Sequence, residues 1–205
     1  MLGNGYKIIM KRIIISLFLI GYGTVPLFAQ SQTWKIDPAH SNIQFSVKHM
    51  VITEVVGQFK EYDATLIISK ADFSDAKLDV TINTHSVDTG FDDRDHHLIS
   101  DEFFDTEKFP KMSFKSKSVV PIDEKNFNII GELTLLGVSK TVVFKTSYGG
   151  MIVDPYGNTR SGWQALTTIN RFDFGMKWNK VLDTGGFIVG EEINIKIDAQ
   201  FILQK

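Results

Sequence analysis

Six consecutive residues, Asp92, Asp93, Arg94, Asp95, His96 and His97, gather carboxylates and imidazoles in one short stretch. Hydrolytic metal sites are built from these donors, so a metal-dependent hydrolase or isomerase working from Asp92 to His97 is one reading. Ligand spacing favours another. Adjacent helical residues point about 100° apart, no HExxH supplies the i, i+4 pair that shares one ion, and Arg94 repels a cation at the centre of the group. Capping and ion pairing are the expected roles, with no metal ligand and no catalytic residue. His40 and His49 lie near Ser41 and Ser46, but a nucleophilic serine needs a sharp exposed turn of the GxSxG kind, which does not occur. His40 is expected to close a turn after Asp37-Pro38, and His49 to end a strand at a rim. Gly131, Gly137, Gly175 and Gly190 stand singly, as bulges and corners require, and form no phosphate loop.

The elements that must position these residues are strands. Ile43, Phe45 and Val47 alternate with polar neighbours, as do Leu78, Val80 and Ile82, and the cleanest series is Ile193, Ile195, Ile197, Ala199 and Phe201. Less regular runs cover 55–69, 112–122, 127–136, 141–152 and 160–169. Turn signals separate them at Pro121-Ile122-Asp123-Glu124, Leu136-Gly137, Gly149-Gly150, Asp154-Pro155-Tyr156-Gly157-Asn158 and Thr184-Gly185-Gly186. The count is about eight antiparallel strands, the number at which a barrel either packs solid or holds one small ligand. Only 92–100 reads as helical, a short helix across one barrel mouth with Asp92 or Asp93 as its cap. The fold class is therefore all-β, a single antiparallel barrel.

The 205 residues carry a formal charge of −2, and residues 1–29 hold Lys7, Lys11 and Arg12 with no acid. Without them 19 basic groups face 24 acidic ones, a balance of −5 that offers no stripe for nucleic acid. Lys11-Arg12, the apolar run from Ile13 to Ile20 and Leu27-Phe28-Ala29 read as a signal peptide cleaved after Ala29, with Met10 a candidate start. A periplasmic or secreted protein with no membrane span after processing is expected. The absence of cysteine excludes a disulfide framework and a thiol nucleophile.

Phenylalanine occurs 16 times against 3 Trp and 5 Tyr, and Phe45, Phe59, Phe103, Phe104, Phe114, Phe144 and Phe201 fall on the expected inward face. Composition leaves open whether they fill the barrel or line a hollow one.

The motifs DPAHS, FSVKH, RDxHL, DEFFD, KFPKMSF, GELTLLGVSK and TINRFDFG follow one another from Trp34 onward. In order and spacing the chain resembles the YceI-like family, whose members look like lipocalins and bind polyisoprenoid lipids. The resemblance implies one lipid-binding barrel over 30–205 with an elongated apolar tunnel. Its ligand would be a polyisoprenoid or isoprenoid quinone, with no other cofactor and no turnover, and a homodimer is admitted. The aromatic residues above, with Val47, His49, His97, Leu98 and Ala199, would line the tunnel or meet the ligand. Arg94 and Arg171 lie within RDxHL and INRFDFG, and an arginine fork suits a diphosphate or quinone carbonyl. The competing role for each is an ion pair, Arg94 with Asp95 and Arg171 with Asp173.

Overall fold

The computed structural model describes residues 31–181 and 185–205. The expected signal segment 1–29 lies outside them. Eleven strands appear: β1 Gln32–Ile36, β2 Asn42–His49, β3 Thr53–Phe59, β4 Tyr62–Ile68, β5 Lys77–Asn83, β6 Val87–Asp88, β7 Lys111–Pro121, β8 Asn126–Leu135, β9 Val138–Val153, β10 Thr159–Asn170 and β11 Val189–Leu203. Their pairings are all antiparallel, and they reduce to eight staves. β1 and β2 both pair with β11, through Ile36 opposite Phe201 and Ile43 opposite Ile197, so they are one stave with a break. β4 pairs with β1 and β3 with β2, which makes β3 and β4 a second broken stave. β5 and β6 form the third, against β4 and β3. β7 to β11 follow in order, and β11 returns to β1, closing an eight-staved barrel with no free edge along most of its length.

The three breaks are tied together. A 3-10 turn, Pro38–His40, interrupts the first stave, capped by the Asp37 carboxylate accepting from Ala39 N–H at 3.2 Å. The Ser41 hydroxyl accepts from Gln200 N–H at 2.9 Å, supplying a bond the ladder loses there. The second stave breaks at Lys60-Glu61, whose N–H groups reach the Ser86 carbonyl and hydroxyl in the 3-10 turn Thr84–Ser86 that breaks the third. Tyr62 donates its hydroxyl to the Ser41 carbonyl at 2.7 Å, linking second to first. The run 55–69 is therefore two strands. A register break shared with neighbouring strands leaves no mark in its own periodicity.

Between β6 and β7 the wall is completed by α1, Asp92–Ile99, as the sequence places it. Its N-cap is Phe91, with no side-chain cap, so Asp92 and Asp93 are exposed first-turn acids and not the cap. Asp95 does the local fastening, accepting from both the N–H and the hydroxyl of Thr89. Beyond the helix, Phe103 and Phe104 are buried, turned inward by bonds from Phe104 N–H to Leu98 O and from Asp105 N–H to Ser100 O. The mouth beside α1 also carries the β2–β3 turn and residues 171–181 and 185–188. The opposite end carries the β4–β5 loop and the β7–β8 and β9–β10 hairpins.

Of the single glycines, Gly137 (φ 72°) and Gly175 (φ 87°) sit in left-handed turns as expected. Gly131 does not end a strand. It lies inside β8 at the β7 bulge, where a Cβ would collide with the Phe114 ring.

Candidate functional site

The barrel encloses an apolar cavity of about 200 Å³. Alternation builds it. Ile193, Ile195, Ile197, Ala199 and Phe201 supply one stave of lining, and Ile43, Phe45 and Val47 the next. Val189 to Phe201 covers twelve residue steps of β11. At about 3.3 Å per step and a tilt near 40°, this corresponds to roughly 30 Å along the barrel axis. Phe59, Phe114 and Phe144 enter from other staves, while Leu98, Phe103 and Phe104 close the α1 side. Phe45, Val47, Phe59, Leu98, Phe103, Phe104, Phe114, Phe144, Arg171, Ala199 and Phe201 all border this cavity, and the buried phenylalanines among them are at once core and lining.

Three of the expected residues stand elsewhere. His49 sits at the rim between Val189 and Thr53, outside the lining. His97 pairs its Nε2 with Glu102 and stands edge-on to Phe103 (4.9 Å) and Trp178 (5.0 Å), an aromatic cluster at the α1 mouth. Arg94 makes no ion pair with Asp95. Its Nε donates to the Thr89 hydroxyl at 2.7 Å and a terminal nitrogen to the Thr89 carbonyl at 2.9 Å, closing the turn before α1.

Arg171 also departs from the expected ion pair with Asp173. It is 1 % exposed and donates to four carbonyls, of Gly190 (2.8 Å), Met176 (2.8 Å), Trp178 (2.8 Å) and Val189 (3.2 Å). Its guanidinium lies 4.5 Å from the Phe172 ring. The fork gathers the ends of the 171–190 connection onto one cation bordering the cavity. Burial pulls its pKa below the usual value, partly offset by nearby Glu191.

Sequence reasoning missed the far end. Phe73, on the β4–β5 loop, packs its ring against Phe127 (5.5 Å), Tyr148 (5.0 Å) and Trp163 (5.0 Å). Phe73, Phe127 and Trp163 all line the cavity. Trp163 could have been read from the period of two that puts it on one face with Ala165 and Ile169, whereas Phe73 lies in no periodic run.

The Asp92–His97 cluster does not converge on a point. His96 and Asp92 are exposed, Asp95 is bound to Thr89 and His97 to Glu102. Among the described residues, no three His, Asp or Glu side chains come together as a metal ligand set.

The YceI-like domain model matches residues 34–201. The chain belongs to this family. A UPF0312 protein of Shewanella denitrificans is 37% identical over 191 residues, covering 92% of this chain and 96% of that protein. One from Staphylococcus aureus is 33% identical over 170 residues, covering 82% and 96%. The Campylobacter jejuni YCEI protein superposes with a TM-score of 0.66 at 33% identity, covering 77% of this chain and 90% of its own. Burkholderia cenocepacia BcnA (TM-score 0.71, 23% identity, 80% and 98% covered) shares the fold. So does a polyisoprenoid binding domain from Saccharophagus degradans implicated in plant cell wall breakdown (0.64, 14%, 83% and 98%). The closed barrel with one helix is the YceI and lipocalin-like fold.

Proposed function

We propose that this YceI-like barrel is an exported carrier that sequesters a polyisoprenoid or an isoprenoid quinone and performs no turnover. The observation behind this is the apolar cavity, whose lining extends over roughly 30 Å of the barrel axis and draws aliphatic and aromatic side chains from every stave. Such a bore suits an extended hydrocarbon tail better than a compact polar substrate. Membership of the YceI-like family and the polyisoprenoid ligand of the Saccharophagus degradans domain support the class of tail. Burial would contribute about 25 cal/mol per Å² of apolar surface, so affinity should rise with tail length and respond weakly to salt. The head group would remain at the α1 mouth, near His97, Trp178 and the cationic Arg171. The signal-like residues 1–29 support export.

Native mass spectrometry of the purified protein, followed by organic extraction, tests this reading. The expected result is a mass excess that extraction removes and that proves to be a prenyl lipid. An empty barrel, or a cargo without isoprene units, overturns it.

A further inference from the structure

The turn joining β2 to β3 contradicts ordinary turn chemistry. Ile52 N–H bonds back to the His49 carbonyl at 3.2 Å, and the two residues between, Met50 and Val51, have φ of 50° and 66°. Asn-Gly is the sequence that such a left-handed pair favours, and a β-branched residue there is an outlier. The Leu136-Gly137 hairpin at the same end has φ of 52° and 72° and follows the rule at its second position.

The strained turn also presents apolar side chains to water. Met50, Val51 and Ile52 are 40%, 66% and 85% exposed, with Val181 at 72% on the neighbouring connection. Val51 leans toward that connection, its Cγ2 3.2 Å from where a Cβ on Gly186 would stand, and Met50 N–H donates to the Ile188 carbonyl at 2.8 Å. The tip therefore has a fixed direction, and it continues directly from the cavity wall. Val47 and Val189, the last lining residues of β2 and β11, lie just before it. Charge around this mouth is mixed and leans acidic. Lys48 is paired with Glu54, while exposed Lys177 and Lys180 are outnumbered by exposed Asp92, Asp93, Asp101 and Glu102.

We propose that Met50-Val51-Ile52, with Val181, is a membrane-docking tip that inserts into an uncharged lipid surface and brings the α1 mouth of the cavity against it. Apolar residues at the tip bury their side chains among lipid, which compensates for both their exposure and the backbone strain. The acid-leaning rim is repelled by an anionic surface and favours a zwitterionic one. A tail moving between bilayer and barrel would then pass along apolar surface throughout. The inference goes beyond the carrier reading, and docking can be measured whether or not cargo is present.

The test uses the chain from Gln30, which contains every stave of the closed ring and lacks the apolar run of residues 1–29. Co-sedimentation with phosphatidylcholine vesicles is measured at low and high salt. Wild type should partition to a similar extent in both. Met50→Asn/Val51→Gly installs the residues the turn geometry favours. It should lower partitioning at least tenfold with an unchanged or raised melting temperature, an outcome that a merely structural role for the tip would reverse. Ile52→Ser, outside the turn's central pair, should also weaken binding. Ile152→Ser/Val153→Ser, at the opposite end, should not. Absence of wild-type binding, loss of binding at high salt, full binding by the tip variants, or loss confined to the opposite-end variant overturns the proposal. A prenyl lipid in the extract together with no vesicle binding refutes docking alone. Vesicle binding by a barrel without prenyl cargo refutes the carrier reading alone.

Discussion

The Phe73 ring stands edge-on to Trp163, with centroids 5.0 Å apart and planes at 80°. Since Phe73 is carried by the β4–β5 loop and Trp163 by β10, this contact spans the end of the cavity opposite α1. The loop holds Phe73 at φ 57°, with Asp75 accepting from Ser69 and Lys70 N–H groups at its base.

Phe73→Ala removes this closure and leaves every stave intact. A fully buried Phe→Ala change costs about 3–5 kcal/mol; for a half-buried ring about 1–3 kcal/mol is expected by chemical denaturation. Because the far end opens, bound lipid should exchange several-fold faster into acceptor vesicles. An unchanged exchange rate would mean that lipid passes only through the α1 mouth.

Arg171 is the anchor of the 171–190 connection, and Arg171→Met leaves its carbonyl partners without their donors. An unpaired buried polar group costs about 1–3 kcal/mol, so a total loss of at least about 3 kcal/mol is expected, with faster hydrogen exchange concentrated over 176–181 and 185–190. Arg171→Lys offers only three donors from one point and should fall between the two. Equal stability of all three proteins would show that the carbonyls find water instead.

These two residues also mark what a sequence can show. The series from Ile193 to Phe201 identified its inward face, because a period of two assigns side chains to faces without knowledge of partners. The helix at 92–99 was legible for a similar local reason. Arg171 was not, since its partners are backbone carbonyls that every residue possesses, and proximity to Asp173 suggested a salt bridge that the folded chain does not make. Phe73 depends on a loop conformation and on rings 54 to 90 positions away. The break at Lys60-Glu61 is set by Ser86 on a neighbouring stave.

A further ion network predicts sensitivity to acid. Arg160 bonds both Asp37 and Asp154, joining the break between β1 and β2 to the β9–β10 hairpin. Burial of Asp37 opposes ionisation, but hydrogen bonds from His40, Arg160 and Ala39 N–H outweigh it, leaving its pKa below the ordinary carboxylate value. For Asp154 the Arg160 hydrogen bond is the largest cause and drives the pKa well below that value. Both carboxylates bind protons less readily folded than unfolded. Their contribution is complete above an unfolded pKa of about 3.9 and is lost as pH falls through the folded values. Arg160→Met should therefore be less stable than wild type at pH 6, and the difference should shrink progressively below about pH 4. A difference independent of pH would assign Arg160 a packing role alone.

Ala199 provides the direct test of an open bore. It faces the cavity opposite Trp163 in the β10–β11 register, between Ile197 and Phe201. A tryptophan there has empty volume to enter, whereas in a close-packed barrel the same change would overpack the core and cost about 1–3 kcal/mol. Ala199→Trp should therefore melt within a few degrees of wild type while extractable lipid falls sharply, because the indole takes space the tail would occupy. The obstruction should also depend on tail length, excluding long prenyl chains and leaving room for short ones on either side of position 199. A large drop in melting temperature, with no lipid in wild type to lose, would mean that the cavity collapses in solution and that the barrel carries nothing.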